Sequence, residues 1–389
     1  MDGPQRACES GPLMGRARRG WCGTVLPLAA GGAAGHAEAR RAHIVCGVAS
    51  VEFLVLSQED VVAAGGLEMD ACLAVIEEAL VLHHRGDTVL PQKSALHWSN
   101  DIDTDEKLGR IMAMPAYVGG SLGMAGIKWI PSVPQNPSRG LPRGIGVVLL
   151  SDPETGLPVC FMDGTVVSAM RTGAVSGLAA RELAAPGSSV LTLYGAGVQA
   201  RTQLAGLERM LPDLAEIRLY DPSPAQTAAF VEREQPGRPP IRAMDDPREA
   251  ARGSHVVVAA TMAPAPFVTA EWLGPGMLVL SVSSFDPSLD AIDAADLLVT
   301  DDFAHETYHP SRPLARAEAA GLVTEADVVT LGSILAGDHP GRTADEETIL
   351  VSPVGLGIED VAWATAVYRQ AEELGVGARQ RLWEEPIWT

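Results

Sequence analysis

Apolar residues along the chain recur with different periods, and the changes between them predict the elements of the fold. In LEMDACLAVIEEALVLHHRG they recur every three or four positions, which predicts a helix that ends at Gly86. Just before it, Ser57 and Asp60 have the spacing of a capping box and predict the start of a short helix. Between residues 89 and 165 the pattern changes to short apolar runs bounded by Gly and Pro, such as IMAMPAYV and GIGVVLLS. These runs predict strands of a mostly antiparallel or mixed sheet.

A third pattern begins with SAMRTGAVSGLAARELAA, residues 168–185, whose helical spacing and small residues predict a long, closely packed helix. After Pro186 the strand-like runs VLTLYGAG, EIRLYD, HVVVAAT, MLVLSVS and LLVTDD alternate with helical segments. Such alternation is typical of a parallel, doubly wound sheet, because parallel strands need crossover connections. A last helical pattern, IEDVAWATAVYRQAEELG, lies near the C-terminus. The predicted fold class is therefore α/β, with an α+β region before a parallel sheet.

The charge of the chain narrows the classes of partner. With 29 Lys and Arg against 49 Asp and Glu, the net charge is −20, which disfavours nucleic acids and anionic membrane surfaces. The sequence contains no uninterrupted apolar run of about 18 residues, so no transmembrane helix is predicted. The length of 389 residues suggests two domains, or three, and the acidic charge leaves a small molecule as the expected partner.

The cysteines and the N-terminal region bear on the cellular compartment. Five cysteines lack the spacing of a metal site, and their odd number fits reduced thiols in the cytoplasm better than a disulfide framework. Residues 1–51 are rich in Arg, Gly and Ala without clear periodicity, and one interpretation is a weak export signal. The apolar segment there is short and interrupted by Pro27, so we favour a disordered tail. We expect a cytoplasmic protein that binds no metal ion.

The segment LTLYGAGVQARTQ carries the first candidate binding site. Gly195, Gly197 and Ala200 form G-x-G-x-x-A between a strand-like and a helix-like run, which is the setting of a dinucleotide-binding turn. Gly195 would permit the tight turn, Gly197 the approach of a pyrophosphate, and Ala200 the close packing of helix on strand. A tight turn without a ligand is the alternative, and the strand–helix context favours the cofactor.

The end of the next predicted strand indicates which dinucleotide is bound. Asp221 closes EIRLYD, at the place where a carboxylate accepts hydrogen bonds from ribose hydroxyls and repels a 2′-phosphate. No Lys or Arg follows within DPSPAQTAAF to neutralise such a phosphate. The predicted cofactor is therefore NAD rather than NADP.

Four segments together resemble a known family. KWIPSVPQNPSRGLPRG, DGTVVSAMRTGAVSGLAAREL, YGAGVQARTQL and SPVGLGIEDV occur in the order typical of the ornithine cyclodeaminase/mu-crystallin family, and the resemblance extends from residue 52 to the C-terminus. It implies a Rossmann NAD-binding domain over 185–349 and an α+β substrate-binding and dimerisation domain built from 52–184 and 350–389. It also implies a homodimer with the active site between the domains.

Within this family, GIKWIPSVPQNPSRGLPRG and SVSSFDPSLDAIDAADLLVTDD resemble the branch that makes 2,3-diaminopropionate for siderophores and peptide natural products. The resemblance implies NAD-dependent oxidation of the Cα–N bond of an N-(2-amino-2-carboxyethyl)-L-glutamate-type amino acid. Hydrolysis of the imine would release 2-oxoglutarate and L-2,3-diaminopropionate. Two alternatives stay open: an ornithine or lysine cyclodeaminase that forms proline or pipecolate, and a mu-crystallin-like NAD(P)H-binding protein or ketimine reductase. Met112 disfavours the cyclodeaminase, which carries a Glu at that place.

The resemblance also assigns roles to individual side chains. Arg171 of R-T-G-A is expected to bind the substrate α-carboxylate, with a surface ion pair as the alternative. Lys128 is expected to contact that carboxylate or to transfer a proton near the reacting carbon, with a Lys that snorkels from an edge strand as the alternative. Lys93 occupies the place of a further carboxylate-binding residue, although lysines are common at strand edges. Asp286 is expected to take a proton or guide a water; its shifted spacing leaves a capping role open.

Residues on the far side of the predicted turn complete the candidate site. Thr261, Ser352 and Gly355 are expected to border the nicotinamide, where small side chains let the ring approach. Glu359 and Asp360 come at the start of the last predicted helix, where the helix dipole favours carboxylates. That explanation is sufficient for these two residues at the level of the sequence.

Overall fold

The change of pattern near residue 186 separates two β-sheets in the computed structural model, which describes residues 50–99 and 107–388. Of the predicted tail, 1–51, all but the last two residues lie outside the described ranges. Residues Val51–Glu384 form one compact unit that contains both sheets. The predicted α/β class is confirmed.

Eight strands of the described residues form the first sheet, in the order β16-β1-β7-β6-β5-β4-β2, with β3 paired to β4. Only β1 and β7 pair in parallel within it, so the predicted mixed sheet is confirmed. The bounds are β1 Val51–Leu56, β2 Thr88–Val89, β3 Ser94–Ser99, β4 Lys107–Val118, β5 Met124–Ser132, β6 Val147–Ser151, β7 Pro158–Asp163 and β16 Ala378–Trp383.

A second sheet of eight described strands is parallel throughout, in the order β10-β9-β8-β11-β12-β15-β13-β14. Its central strands are buried on both faces, which explains why they read as continuous apolar runs. The bounds are β8 Val190–Tyr194, β9 Glu216–Tyr220, β10 Ile241–Ala243, β11 Val256–Ala259, β12 Leu278–Ser281, β13 Leu297–Thr300, β14 Val328–Thr330 and β15 Ile349–Val351. The sequence predicts that residues 350 and 351 belong to the substrate-binding domain. In the structure they belong to β15, which lies between β12 and β13 of the parallel sheet. The division into two domains stays a prediction.

Helices pack on both sheets, and several of them begin at a residue whose side chain caps the helix. The capping box of Ser57 and Asp60 is present. The predicted helix 168–185 spans Thr165–Leu183 instead, because Asp163 Oδ1 accepts from the amides of Thr165 and Val166 and starts the helix earlier. The α-helices are α1 Gln58–Ala63, α2 Met69–His84, α3 Thr165–Leu183, α4 Val198–Met210, α5 Pro224–Glu234, α6 Pro247–Ala251, α7 Leu289–Asp293, α8 Phe303–Tyr308, α9 Pro313–Ala319, α10 Leu331–Leu335 and α11 Gly357–Leu374, and the 3-10 helices are Asn136–Arg139, Ala270–Trp272 and Glu325–Asp327.

Small residues let α3 and α4 approach closely, as their pattern predicted. A Cβ atom on Gly173 of α3 would lie 2.1 Å from the carbonyl oxygen of Thr202 in α4, so a larger residue would force the helices apart. This contact joins the two halves of the chain and fixes the position of α3 relative to α4. None of the helices in the described ranges is both long and apolar enough to span a bilayer.

Candidate active site

The predicted dinucleotide turn lies between β8 and α4 and has the backbone that its glycines suggested. Gly195 has a φ of 97°, and a Cβ there would lie 2.6 Å from the carbonyl oxygen of Ala260, so only glycine fits. Gly197 is the N-cap of α4, and no heavy atom lies within 4 Å of the place a Cβ would take. Ala200 is buried against the sheet. The helix therefore begins beside open space, with free amides that suit a pyrophosphate.

Asp221 lies directly beside this turn. Its Oδ2 accepts from the amide of Ala196 at 3.0 Å, and its Oδ1 accepts from the amide of Ser223 at 2.8 Å. These two bonds hold the carboxylate at the end of β9, next to the start of α4. A negative charge fixed there fits the ribose of NAD and opposes a 2′-phosphate. The residues present thus fit the predicted cofactor.

On the other side, a buried cluster of charges joins the first sheet to α3 and α11. Lys128 of β5 and Arg171 of α3 are 1% and 7% exposed, so neither is the surface residue that the alternatives required. Nζ of Lys128 lies 2.7 Å from Oδ2 of Asp360 and donates to Oγ of Ser168 at 2.9 Å. Arg171 pairs through Nε with Asp360 at 3.1 Å and through Nη1 with Glu359 at 2.5 Å. The geometry thus brings the two predicted substrate residues together.

The interpretation of Glu359 and Asp360 from the sequence was incomplete. Both do lie in the first turn of α11, where the dipole favours them, but both are fully buried and neutralise the two cations. Glu359 Oε1 has no hydrogen-bond partner among the described residues. The signal available in the sequence was two adjacent carboxylates within an otherwise apolar run, a place where charges need partners.

The loop between β15 and α11 connects this cluster to Lys93. Nζ of Lys93 donates to the carbonyl oxygen of Val354 at 2.8 Å. The next residue, Gly355, has a φ of 72°, and a Cβ there would lie 2.4 Å from Nη1 of Arg171. Oδ1 and Oδ2 of Asp301 accept from the amides of Val354 and Gly355 at 2.9 and 2.6 Å. Lys93, Arg171 and Gly355 therefore belong to one group of contacts.

Burial changes the proton affinity of these groups in different directions. It lowers the pKa of Lys93 to about 7, despite the carboxylate of Asp301, and lowers that of Lys128 to about 8 together with the nearby Arg171. Burial also raises the pKa of Glu359 to about 7 against the opposing effect of Arg171. Arg171 itself has a raised pKa, because Asp360 and Glu359 outweigh the opposing effect of its burial. Two lysines with pKa values near neutrality are typical of an active site.

Asp286 and Thr261 form a separate group at the carboxyl ends of β11 and β12. Thr261 Oγ1 donates to Oδ1 of Asp286 at 2.7 Å, and Ser283 Oγ donates to Oδ2 of the same carboxylate. Asp286 is fully buried, and burial raises its pKa although both hydroxyls act in the opposite direction. Asp286 therefore connects the loops that follow β11 and β12 at the edge of the parallel sheet, and its catalytic role stays a prediction.

Ser352 belongs to a buried polar group that the sequence did not indicate. Its Oγ donates to Oε1 of Glu306 at 2.7 Å, and Oε2 of Glu306 accepts from Nε of Arg312 at 2.7 Å. Nη2 of Arg312 donates to the carbonyl oxygen of Pro353 at 2.6 Å. These bonds hold the loop that contains Ser352 and Gly355, and they depend on contacts between α8, α9 and β15 that no local pattern reveals.

A second connection between the halves of the chain runs through Asp302. Its Oδ2 lies 3.0 Å from Nε2 of His83 at the end of α2, and its Oδ1 lies 3.0 Å from Nδ1 of His305. His305 Nε2 is 3.3 Å from the carbonyl oxygen of Pro91, two residues before Lys93. The two histidines thus hold the segment that carries Lys93 against the carboxyl end of β13. In the described residues no group of His, Cys, Asp and Glu has the arrangement of a metal site.

The chain is similar to known proteins over most of its length. A model of the ornithine cyclodeaminase/mu-crystallin family matches residues 52–375. The N-((2S)-2-amino-2-carboxyethyl)-L-glutamate dehydrogenase of Staphylococcus aureus is 34% identical over 85% of this chain and 99% of its own length. The alanine dehydrogenase of Archaeoglobus fulgidus is 34% identical over 85% of this chain and 98% of its own.

Two solved structures show the same fold with the cofactor in place. Delta(1)-pyrroline-2-carboxylate reductase of Thermococcus litoralis, in complex with NADH and L-proline, has a TM-score of 0.75 at 29% identity and covers 84% of this chain and 99% of that one. A dimeric archaeal alanine dehydrogenase with bound NAD has a TM-score of 0.76 at 32% identity and covers 86% and 100%. The predicted cofactor, NAD, and the predicted class, an NAD-dependent amino-acid oxidoreductase, are confirmed at this level.

Proposed function

Because the chain belongs to the ornithine cyclodeaminase/mu-crystallin family, we propose that it oxidises an N-(2-amino-2-carboxyethyl)-L-glutamate-type amino acid with NAD. The bond oxidised is that between the glutamate Cα and the secondary nitrogen. Hydrolysis of the resulting imine gives 2-oxoglutarate and L-2,3-diaminopropionate, a building block for siderophores or peptide natural products. The similarity to the staphylococcal dehydrogenase over 85% of this chain supports this substrate class.

The observation that carries the proposal is the buried pair of Arg171 and Lys128. The guanidinium of Arg171 and the N–H groups of Lys128, held side by side, match a carboxylate, and a carboxylate bound there fixes the Cα attached to it. Among the described residues, the hydrogen bonds of Arg171 use Nε and Nη1, so Nη2 remains for the substrate. Lys93, joined to the same loop, adds a third donor.

The cofactor site and the carboxylate site have different functions. Gly195, Gly197, Ala200 and Asp221 would hold NAD, which supplies the hydride acceptor when bound. Thr261, Ser352 and Gly355 line loops at the carboxyl ends of the parallel strands, where ligands bind in open α/β sheets. The chain's own task is to present Cα in one orientation and to exclude bulk water until the imine has formed.

Lys128 is the residue we assign to proton transfer. Oxidation removes a proton from the substrate nitrogen, and Lys128, whose pKa is lowered to about 8, accepts it in its neutral form, which becomes the major form above that pH. Ser168 and Asp360 fix the position of its Nζ. Asp286, held by Thr261 and Ser283, is assigned to the water that later attacks the imine.

Met112 separates this proposal from cyclodeamination. It lies on β4 opposite Ile130, two pairs along from Met114 and Lys128, and its thioether has no charge to hold a side-chain ammonium. A cyclodeaminase needs such a group, because the second amine must attack the imine from a fixed position. Without it, water is the expected nucleophile and an open-chain keto acid the expected product.

The assembly proposed is a homodimer, as in the archaeal alanine dehydrogenase, in the cytoplasm. Apolar side chains exposed on the first sheet and its loops, among them Leu96, Trp129 and Phe161, are compatible with burial between two copies. Size-exclusion chromatography with light scattering tests this directly. A monomer at micromolar concentration would contradict the assembly without affecting the assigned chemistry.

A product assay tests the reaction. The enzyme is incubated with NAD and, separately, with N-(2-amino-2-carboxyethyl)-L-glutamate, L-ornithine, L-lysine, L-proline and L-alanine, and both NADH absorbance and product mass are followed. The expected result is net NADH with equal amounts of 2-oxoglutarate and 2,3-diaminopropionate from the first substrate only. Proline or pipecolate without net NADH would indicate a cyclodeaminase. Tight NADH binding without turnover of any of them would indicate a mu-crystallin-like protein.

A further inference from the structure

We propose that Arg110 and Arg143 form a second carboxylate-binding subsite, which selects amino acids that carry a distal carboxylate. The inference rests on the proposed function in one respect only, namely that an amino acid is held at Arg171 and Lys128. It adds what neither of those residues provides, a reason for the enzyme to prefer a substrate with two or more carboxylates. The ligand class is a dicarboxylic or tricarboxylic amino acid or the corresponding 2-oxo acid.

Strand pairing places the two arginines on either side of β5. Arg110 of β4 is opposite Ser132 of β5, and Ser132 in turn forms an antiparallel bridge with Gly144. The residue before that glycine is Arg143, whose carbonyl oxygen accepts from the amide of Val133 at 2.9 Å. Adjacent strands lie about 4.8 Å apart, so three neighbouring backbones bring the two side chains within reach of one anion.

Neither guanidinium is neutralised. Over residues 50–99 and 107–388, Arg110, which is exposed, and Arg143, which is half-buried, form no ion pair. Nε of Arg143 is buried and has no hydrogen-bond partner within the described ranges. Burial lowers the pKa of both arginines, and Arg143 lowers that of Arg110 further. An anion bound between them would pair both charges and give the buried Nε of Arg143 a hydrogen-bond acceptor.

The subsite faces the same space as the carboxylate site. Residues paired across two antiparallel strands share a face of the sheet, so Met114 with Lys128, Met112 with Ile130 and Arg110 with Ser132 lie along one face. Arg110 and Met114 are four positions apart on β4, about 13 Å along the backbone. A long arginine side chain shortens that gap to the length of a small extended amino acid.

Arg143 also contacts one of the loops that border the predicted cofactor site. Its Nη1 contacts Sδ of Met262, the residue that follows Thr261 at the carboxyl end of β11. Arg143 therefore lies near the carboxyl end of β11, and Arg110 lies near the start of β4, opposite the end of β5. A substrate whose α-carboxylate meets Arg171 would extend past Met112 and place its distal carboxylate between Arg110 and Arg143. Two guanidinium groups on one carboxylate form charge-assisted hydrogen bonds of defined geometry.

Binding of paired 2-oxo acids to the enzyme–NADH complex tests the subsite without turnover. The probes are 2-oxoglutarate and 2-oxopentanoate, which share a carbon chain and differ in the distal carboxylate. Affinities are measured by calorimetry for the native enzyme, Arg110→Gln, Arg143→Gln and the conservative Arg110→Lys. Arg139→Gln, at an exposed arginine in the same loop, is the matched control. Thermal unfolding and NADH affinity are recorded for every variant.

The expected result is that the native enzyme binds 2-oxoglutarate at least about tenfold more tightly than 2-oxopentanoate, since a hydrogen bond to a charged group contributes about 1.5–3 kcal/mol. Each Gln variant should lose most of that preference, with Arg110→Lys intermediate and Arg139→Gln unchanged. Equal affinities in the native enzyme would overturn the proposal even if the variants fold poorly. A loss of NADH affinity in the variants with the preference intact would also overturn it, because the arginines would then serve the cofactor. Failure of the product assay leaves this binding test valid, so the two proposals fail separately.

Discussion

The two halves of the candidate site hold their ligands by different physical means. On the cofactor side, the turn at Gly195 offers backbone amides and open space, and Asp221 is held by amides that lie close in sequence. On the substrate side, Arg171 meets Glu359 and Asp360 across 188 and 189 residues of chain. Backbone groups bind a phosphate without any buried charge, whereas a carboxylate of a small substrate is met here by cations that must be neutralised inside the fold.

This difference makes the substrate side the more fragile of the two. The cofactor turn needs a permitted φ at Gly195 and space beside Gly197, which a short segment supplies by itself. The cation cluster needs β5, α3 and α11 to be in place together, since its members come from all three. We therefore expect substitutions in the cluster to affect both stability and substrate binding, and substitutions at the turn to affect cofactor choice alone.

The largest effect is expected for Asp360→Asn, which removes the carboxylate that pairs with both buried cations. The neutral amide leaves Lys128 and Arg171 buried with less compensation, and removing one partner of a buried ion pair costs about 3–5 kcal/mol. Urea unfolding should show this loss. Glu373→Gln, at an exposed site of the same helix, is the control and should remain within about 0.5 kcal/mol of the native protein. Equal stability of the two variants would show that the cluster is not the costly part of the site.

Lys128→Arg should have the next largest effect, on chemistry rather than stability. The guanidinium keeps the positive charge and is unable to accept a proton, so kcat/KM should fall by about 10²–10⁴. Since the pKa of Lys128 is lowered to about 8, native kcat/KM should rise with pH up to that value and then level off. The variant should lose this rise while NADH affinity stays the same. An unchanged pH profile in the variant would exclude Lys128 as the proton acceptor.

The double substitution Asp221→Ser with Pro222→Arg tests the cofactor side. Loss of the carboxylate removes its bonds to the ribose hydroxyls and its repulsion of a 2′-phosphate, and the new arginine attracts that phosphate. The ratio of kcat/KM for NAD over NADP should fall by roughly 10–100-fold, the value of one hydrogen bond to a charged group. KM for the amino acid should not change. A preference for NAD that survives the substitution would be incompatible with the assignment of Asp221.

The smallest effect is expected at the contact between the halves, in Asp302→Asn. Hydrogen bonds from His305 and His83 hold the pKa of Asp302 below its ordinary value although burial opposes them, and Asp302 raises the pKa of His305 although burial lowers it. This stabilisation is complete between the ordinary pKa values of Asp and His, about 4 and 6.5, and declines as the pH rises through the raised pKa of His305. The variant should be less stable than the native protein by about 1 kcal/mol at pH 5.5. The difference should shrink at pH 8.5, and a constant difference would contradict the assigned pair.

The fold was predictable wherever a short segment determines its own structure. The capping box at Ser57, the parallel strands and the turn at Gly195 each depend on residues a few positions apart. The bounds of α3 differed because a side chain outside the apolar pattern, that of Asp163, starts the helix.

The site was less predictable because its partners are distant in sequence. Glu359 and Asp360 look like dipole-compensating residues until α11 is packed against α3 and β5. Arg110 and Arg143 are ordinary basic residues until strand pairing brings them together. Local pattern specifies an element, and only the packed structure specifies which charges meet.

A single isotopic measurement tests the central claim, that the substrate side presents the glutamate Cα to the cofactor. N-(2-amino-2-carboxyethyl)-L-glutamate is prepared with deuterium at the glutamate Cα and oxidised by the enzyme with NAD, and the products are analysed by mass spectrometry. The account predicts NADH that carries the deuterium, together with unlabelled 2-oxoglutarate and 2,3-diaminopropionate. Unlabelled NADH with the deuterium retained in an oxidised product would show that another carbon is oxidised and would contradict the account.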